Sequence, residues 1–236
     1  MRNTFLALFV AMTIISGCRS NSGIRAYWSE RTPNIDDIAA AEDEFTNFAE
    51  LAVDAPEADA FWAVDQLLRK ASKDEVTFIV YTDWIARGFG LVASPCYSPS
   101  IFTHAAKTAL RKRILDSYLT AEYKKRLEFC SHNRVGDKAK LAVDLPIEGR
   151  TLILVVDQDC PSCRKAMERL AKEWEGLGLV ALCVGHGALP GDPDWKCLRL
   201  PNDQNIFDAG QSPFYFVIGA DGIVEQAYKS AYDYEN

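Results

Sequence analysis

The sequence predicts an α/β fold with an all-helical amino-terminal region, on three observations. Two short runs rich in branched apolar side chains, Thr151 to Val156 and Leu177 to Val184, flank a stretch in which Cys163, Met167, Leu170, Ala171 and Trp174 recur by threes and fours. Strand, helix and strand in that order build a parallel βαβ unit. Two further apolar runs, Ser212 to Ile218 and Ile223 to Tyr228, are joined through Gly219-Ala-Asp-Gly222 and read as an antiparallel hairpin. Upstream, residues 33–132 keep helical spacing and carry no clear pair of strands.

The chain opens with a segment unlike the rest. Arg2 gives a positive start, Phe5 to Ile15 is apolar, and Ile15-Ser16-Gly17-Cys18 closes with small residues before a cysteine. The apolar stretch falls short of the roughly 20 residues that cross a bilayer. It resembles a bacterial lipoprotein signal, which implies removal of residues 1–17, lipidation of Cys18 and a cell-envelope location facing the periplasm, on the inner or the outer membrane. An ordinary secretory signal with an incidental cysteine is the alternative. The formal charge of −7, from 26 basic and 33 acidic residues, argues against a nucleic-acid partner.

Residues 18–32 are polar and weakly periodic and read as a spacer. Ile35, Ile38, Ala41, Phe45, Phe48 and Ala52 form one helical stripe; Asp54-Ala-Pro56-Glu57 interrupts it, and Phe61, Val64, Leu68 and Ala71 form a second. Residues 74–90 contain VTFIVYTDWI, which has strand-like composition but no partner strand, and they are assigned to a helix. The prolines of Ser94 to Pro99 mark a loop. A long helical pattern then runs from Ile101 to Cys130 with a break near Asp116 to Thr120. Residues 33–132 thus form a helical region with no cofactor motif, and residues 133–236 a second domain that begins at a composition shift near His132 to Asp137.

The chemistry concentrates at Cys160-Pro161-Ser162-Cys163, between the end of one strand and the start of a helix. Pro161 falls at the first helical position, where a missing N–H is harmless. A helix amino terminus carries about half a positive charge and unpaired N–H groups, and both favour a thiolate. Cys160 is therefore the expected nucleophile, ionising below the free-thiol value of about 8.5, and Cys163, one turn on, the resolving thiol.

Other readings of the cysteines compete. Cys160 and Cys163 could form a static structural disulfide, and Cys160-x2-Cys163-x19-Cys183-x2-His186 has zinc-like spacing, although a long amphipathic helix separates the two halves. Cys183 and Cys197, or Cys96 and Cys130, could be bridged, but six cysteines allow 15 fully paired patterns. His104 and His132 read as surface or capping residues, Arg164 and Lys165 as solvated first-turn residues, and no third orienting group supports a Cys-His hydrolase.

Together Val135-Gly-Asp-Lys-Ala, Ile147-Glu-Gly149, Cys160-Pro-Ser-Cys163, Ser212-Pro213 and the Asp221-Gly222 hairpin resemble the thioredoxin fold, particularly the TlpA- and ResA-like thiol:disulfide oxidoreductases. The resemblance covers residues 134 to 229. It implies disulfide exchange with exported protein partners and no bound cofactor or metal. It also implies a cis Pro213 facing the cysteines, with Pro161, Ser162 and the backbone of Ser212 against the substrate, the last by strand addition. Three positions depart from the family: Asp159 replaces the aromatic residue before the first cysteine, and Leu154 and Ala166 stand where acids would accept a proton. Asp157 and Asp159 add negative charge that opposes thiolate formation, although Asp159 could instead cap the helix. The rival from a different class is a thioredoxin-fold binding or scaffold lipoprotein without catalysis.

Overall fold

The computed structural model describes residues 22–157, 160–184, 194–201 and 206–231. The leader, Cys18, Asp159 and His186 lie outside these residues.

Six helices come first. α1 spans Ser22–Glu30, where the sequence predicts a spacer. The reason for the difference is local: Ile24, Tyr27 and Trp28 fall on one helical face and are all buried. Arg25 pairs with Asp59 at 2.6 Å, and Lys70 Nζ donates to the Ser29 and Arg31 carbonyls at 3.0 and 2.6 Å. A cation from the neighbouring helix thus satisfies acceptors at and just beyond the end of α1.

α2 (Ile38–Val53), α3 (Glu57–Ala71), α4 (Glu75–Gly90), α5 (Pro99–Lys112) and α6 (Ser117–Cys130) follow. Asp37, Asp74, Ser98 and Asp116 each accept a backbone N–H of the first turn and fix where α2, α4, α5 and α6 begin. Asp74 is what turns a strand-like composition into a helix: once capped, Phe78, Tyr81, Ile85 and Phe89 form one buried stripe. Arg113, at φ 56°, ends α5, so the break precedes Asp116 and not the residues after it. Trp28, Phe45, Phe48, Tyr81, Trp84 and Phe89 meet in edge-to-face and tilted pairs at the centre of the bundle.

Beyond the bundle lies a five-stranded sheet of β1 (Thr151–Asp157), β2 (Gly178–Val184), β3 (Lys196–Arg199), β4 (Phe214–Ile218) and β5 (Val224–Ser230), in the order β3-β2-β1-β4-β5. β1, β2 and β3 are parallel; β4 is antiparallel to β1, and β5 to β4. α7 (Pro161–Glu173) connects β1 to β2. Gly222, at φ 74°, makes the β4–β5 turn, in a backbone region where other side chains are strained. Residues 136–139 bond alongside that turn: Gly136 N donates to Val224 O at 2.9 Å and Ala139 N to Gly222 O at 2.9 Å.

Alternate residues of each strand enter different cores, as a two-residue period requires. Leu152, Leu154, Val156, Ala181, Cys183 and Tyr215 pack with Cys163, Ala166, Met167 and Leu170 of α7. Ile153, Val155, Val180, Leu182, Phe214, Phe216 and Tyr228 join the core of the helical bundle. At the seam Phe129 of α6 stacks on Tyr228 with centroids 4.6 Å apart and meets Phe214 edge-on at 5.5 Å. The boundary expected between residues 132 and 133 therefore separates two secondary-structure patterns that share one core. No helix among the described residues is long and apolar enough to cross a membrane.

Candidate functional site

The site forms where β1 ends and α7 begins. Cys160 is the residue before the first turn of α7, in extended conformation, and Pro161 follows at the first helical position. The turn is tied by Cys160 N donating to Asp157 O at 3.3 Å and Cys163 N donating to Cys160 O at 3.1 Å. Cys160 remains partly exposed, whereas Cys163 is buried in the apolar face of α7. Pro161 is exposed and Ser162 partly so, which places both at the open side of Cys160. Arg164 and Lys165 point to solvent.

The two thiols differ because their surroundings differ. Burial opposes ionisation of Cys160, but hydrogen bonds from the Cys163 thiol and N–H and from the Ser162 hydroxyl and N–H outweigh it and hold its pKa below the ordinary thiol value. Burial, then the hydrogen bond given to Cys160, pushes the Cys163 thiol up to about 12, despite a backbone hydrogen bond from Asp157 that favours the thiolate. One sulfur is thus primed to attack while the other is held as the donor that steadies it. Leu154 and Ala166, at the positions where the resembled family carries acids, are buried apolar contacts of α7.

The third part of the site comes from the far end of the chain. Antiparallel pairing sets Val155 opposite Phe214, so Pro213 lies at the carboxyl end of β1, at the sheet edge from which Cys160 emerges. The Ser212–Pro213 peptide bond is cis. Pro213 is buried, and its carbonyl accepts from Ala231 N at 3.0 Å. Ser212 departs from expectation. Its N–H donates to Ala209 O at 3.2 Å and its hydroxyl to the same oxygen at 2.8 Å, because it closes a short 3-10 turn, Ala209–Gln211. Only its carbonyl lacks a donor among the described residues, so the Ser212 backbone presents an acceptor and not a full edge.

The other cysteines stand apart from this chemistry. No described cysteine forms a disulfide. Cys183 lies opposite Arg199 and Cys197 opposite Ala181, two residues apart along neighbouring strands, a diagonal too long for an unstrained bridge. Cys96 is buried in the α4–α5 loop and Cys130 at the end of α6, where burial raises both pKa values, that of Cys130 to about 12. No group of three or more metal-ligating side chains occurs among the described residues, and His186, the fourth residue of the zinc reading, lies outside them.

Sequence reasoning missed Asp208 and Gln211, immediately before Ser212. Asp208 is buried and accepts from Gly210 N at 3.3 Å and Gln211 Nε2 at 3.1 Å. Its place ahead of a turn was the available signal.

No protein-family model matches the chain, and no curated protein matches it either. Among solved structures, a thioredoxin-like protein from Bacteroides caccae aligns with a TM-score of 0.69 at 14% identity, covering 98% of this chain and 96% of that one. Coverage of that extent takes in the helical bundle together with the sheet. The chain therefore has a thioredoxin-like fold.

Proposed function

We propose that the protein is a thiol:disulfide oxidoreductase that exchanges disulfides with exported protein partners through Cys160 and Cys163. One observation carries this reading: a partly exposed, more readily ionised Cys160 at a helix amino terminus sits one turn from a buried, reluctant Cys163. The Cys160 thiolate attacks a substrate disulfide, forming a mixed disulfide and expelling one substrate thiolate. Cys163 then loses its proton to water and attacks the Cys160 sulfur, and the second substrate thiolate leaves. Two electrons pass to the substrate, and the Cys160–Cys163 disulfide remains for a partner dithiol to reduce. The same steps run backwards when the pair starts oxidised. Reduction of insulin disulfides by the purified protein with dithiothreitol, compared with Cys160→Ser, tests the assignment: wild type turns over and the variant does not.

The leader-like segment supports a cell-envelope location for this chemistry, with Cys18 lipidated and the remaining chain facing the periplasm. Arg2, the apolar run Phe5 to Ile15 and the small residues before Cys18 support it. Mass spectrometry of the membrane-extracted protein, with Cys18→Ala as the control, tests the lipid; an unmodified Cys18 overturns it.

The non-catalytic scaffold reading is favoured by one observation, that Leu154 and Ala166 leave apolar side chains where the resembled family supplies acids. Absence of insulin reduction by wild type favours that alternative.

A further inference from the structure

The segment from Phe207 to Phe214 carries Pro213 to its place at the sheet edge. Both of its ends are anchored by rings: Phe207 packs at 5.9 Å from Phe216, and Phe214 at 5.2 Å from Tyr228. Between them the chain is held by polar groups, and two of these come from the helical bundle. Lys125 of α6 lies 3.2 Å from Asp208 Oδ1, and the Val92 N–H, just beyond α4, donates to Gln211 Oε1 at 2.8 Å. Gln211 Nε2 closes the chain of contacts on Asp208 Oδ2 at 3.1 Å. The Asp208 side chain is 8% exposed and the Lys125 side chain 54%, so the carboxylate is committed inward while its cation reaches it from the surface.

Building on the oxidoreductase reading above, we propose that Lys125, Asp208, Gln211 and the Val92 amide form a clasp by which the helical bundle positions the Ser212–Pro213 turn against an incoming disulfide. These are positioning residues and touch no reacting sulfur. Their effect passes through Ser212, whose N–H and hydroxyl both bond Ala209 O inside the clasped turn. A buried carboxylate with directional partners on both oxygens fixes a loop far better than apolar contact alone, because each bond has a preferred angle as well as a length. The helical bundle is then a working wall of the site.

Lys125→Met removes the outer contact from a half-exposed position that tolerates change, Lys125→Arg retains the charge, and Gln211→Met cuts the link to Val92 at constant volume. Hydrogen exchange of peptides covering residues 206–213 is expected to be faster in Lys125→Met and Gln211→Met and close to wild type in Lys125→Arg. In insulin reduction the first two raise KM about fivefold or more while kcat at saturating substrate and the Cys160 thiolate titration stay unchanged. Unchanged exchange overturns the clasp whatever the activity. Faster exchange with unchanged KM leaves a structural tie only and overturns the positioning role. A wild type without insulin reduction defeats the oxidoreductase reading first, and the positioning role with it.

Discussion

The two faces of one sheet have been put to different uses. On one face Leu152, Leu154, Val156, Ala181 and Cys183 lie, among the described residues, beneath one helix of 13 residues, with Cys160 just before its first turn and Cys163 within it. On the other, Ile153, Val155, Leu182, Phe214 and Phe216 merge with a six-helix bundle full of aromatic rings. The lightly covered face presents the Cys160 sulfur at the rim, where it is partly open to solvent. The heavily covered face supplies stability, and through Asp208 and Gln211 it reaches round to the same rim. A sheet two residues in period allows this division because neighbouring side chains answer to different cores.

The sharpest way to break the contrast is at the rim. Cys160→Ser is expected to reduce insulin-disulfide reduction to background while leaving the urea midpoint near wild type, since the side chain is partly exposed at the edge of the smaller core and the change is nearly isosteric.

On the bundle face, Phe129→Ala and Trp28→Ala are each expected to cost about 3–5 kcal/mol, as for other fully buried large aromatics. Equilibrium urea unfolding measures this. Phe129→Ala has the added meaning that bundle and sheet should unfold in one transition, read by tryptophan fluorescence and far-ultraviolet dichroism together. Two separated transitions would restore the boundary at residue 132.

A smaller effect tests the connection between the faces. Asp208→Asn is expected to cost about 1–3 kcal/mol at neutral pH by weakening a buried, charge-assisted set of bonds. Burial raises the Asp208 pKa, but the Gln211 bond and Lys125 outweigh it and the net direction is down. The stabilisation from a depressed carboxylate is therefore complete above the unfolded value of about 3.9 and is lost as pH falls through the folded value. The gap between wild type and Asp208→Asn should accordingly narrow in acid, as urea midpoints at neutral and acidic pH would reveal.

The smallest effect belongs to the surface. Arg25→Ala removes the pair with Asp59, and with the Arg25 side chain 54% exposed the cost should stay below about 1 kcal/mol and shrink further in salt.

What could be read from the sequence follows the same division. Thr151 to Val156 is apolar at every position because both faces are covered, and such a run is hard to mistake. The cysteine pair was legible because Pro161 marks the helix start within the motif itself. α4 was legible only through the absence of a partner strand, since its branched residues pointed the other way. α1 was hidden because just three large apolar residues, Ile24, Tyr27 and Trp28, define its face, and polar residues separate them from the apolar run before Cys18. The shared core was hidden for a different reason: Phe129 and Tyr228 are about a hundred residues apart, and no local pattern records which surfaces meet. Asp208 and Gln211 looked like ordinary polar loop residues, because their meaning depends on Lys125 and Val92, distant in the chain.

The local fold makes Cys160 and Cys163 chemically unequal. Following thiolate absorbance in the ultraviolet across a pH titration of the reduced protein, alongside Cys160→Ser, tests it most directly. The expected result is one sulfur ionising below the ordinary thiol value of about 8.5 and absent in the variant, while Cys163, like the buried Cys130, resists until about 12. Two sulfurs ionising together at the ordinary value, or an early ionisation that survives Cys160→Ser, would contradict it.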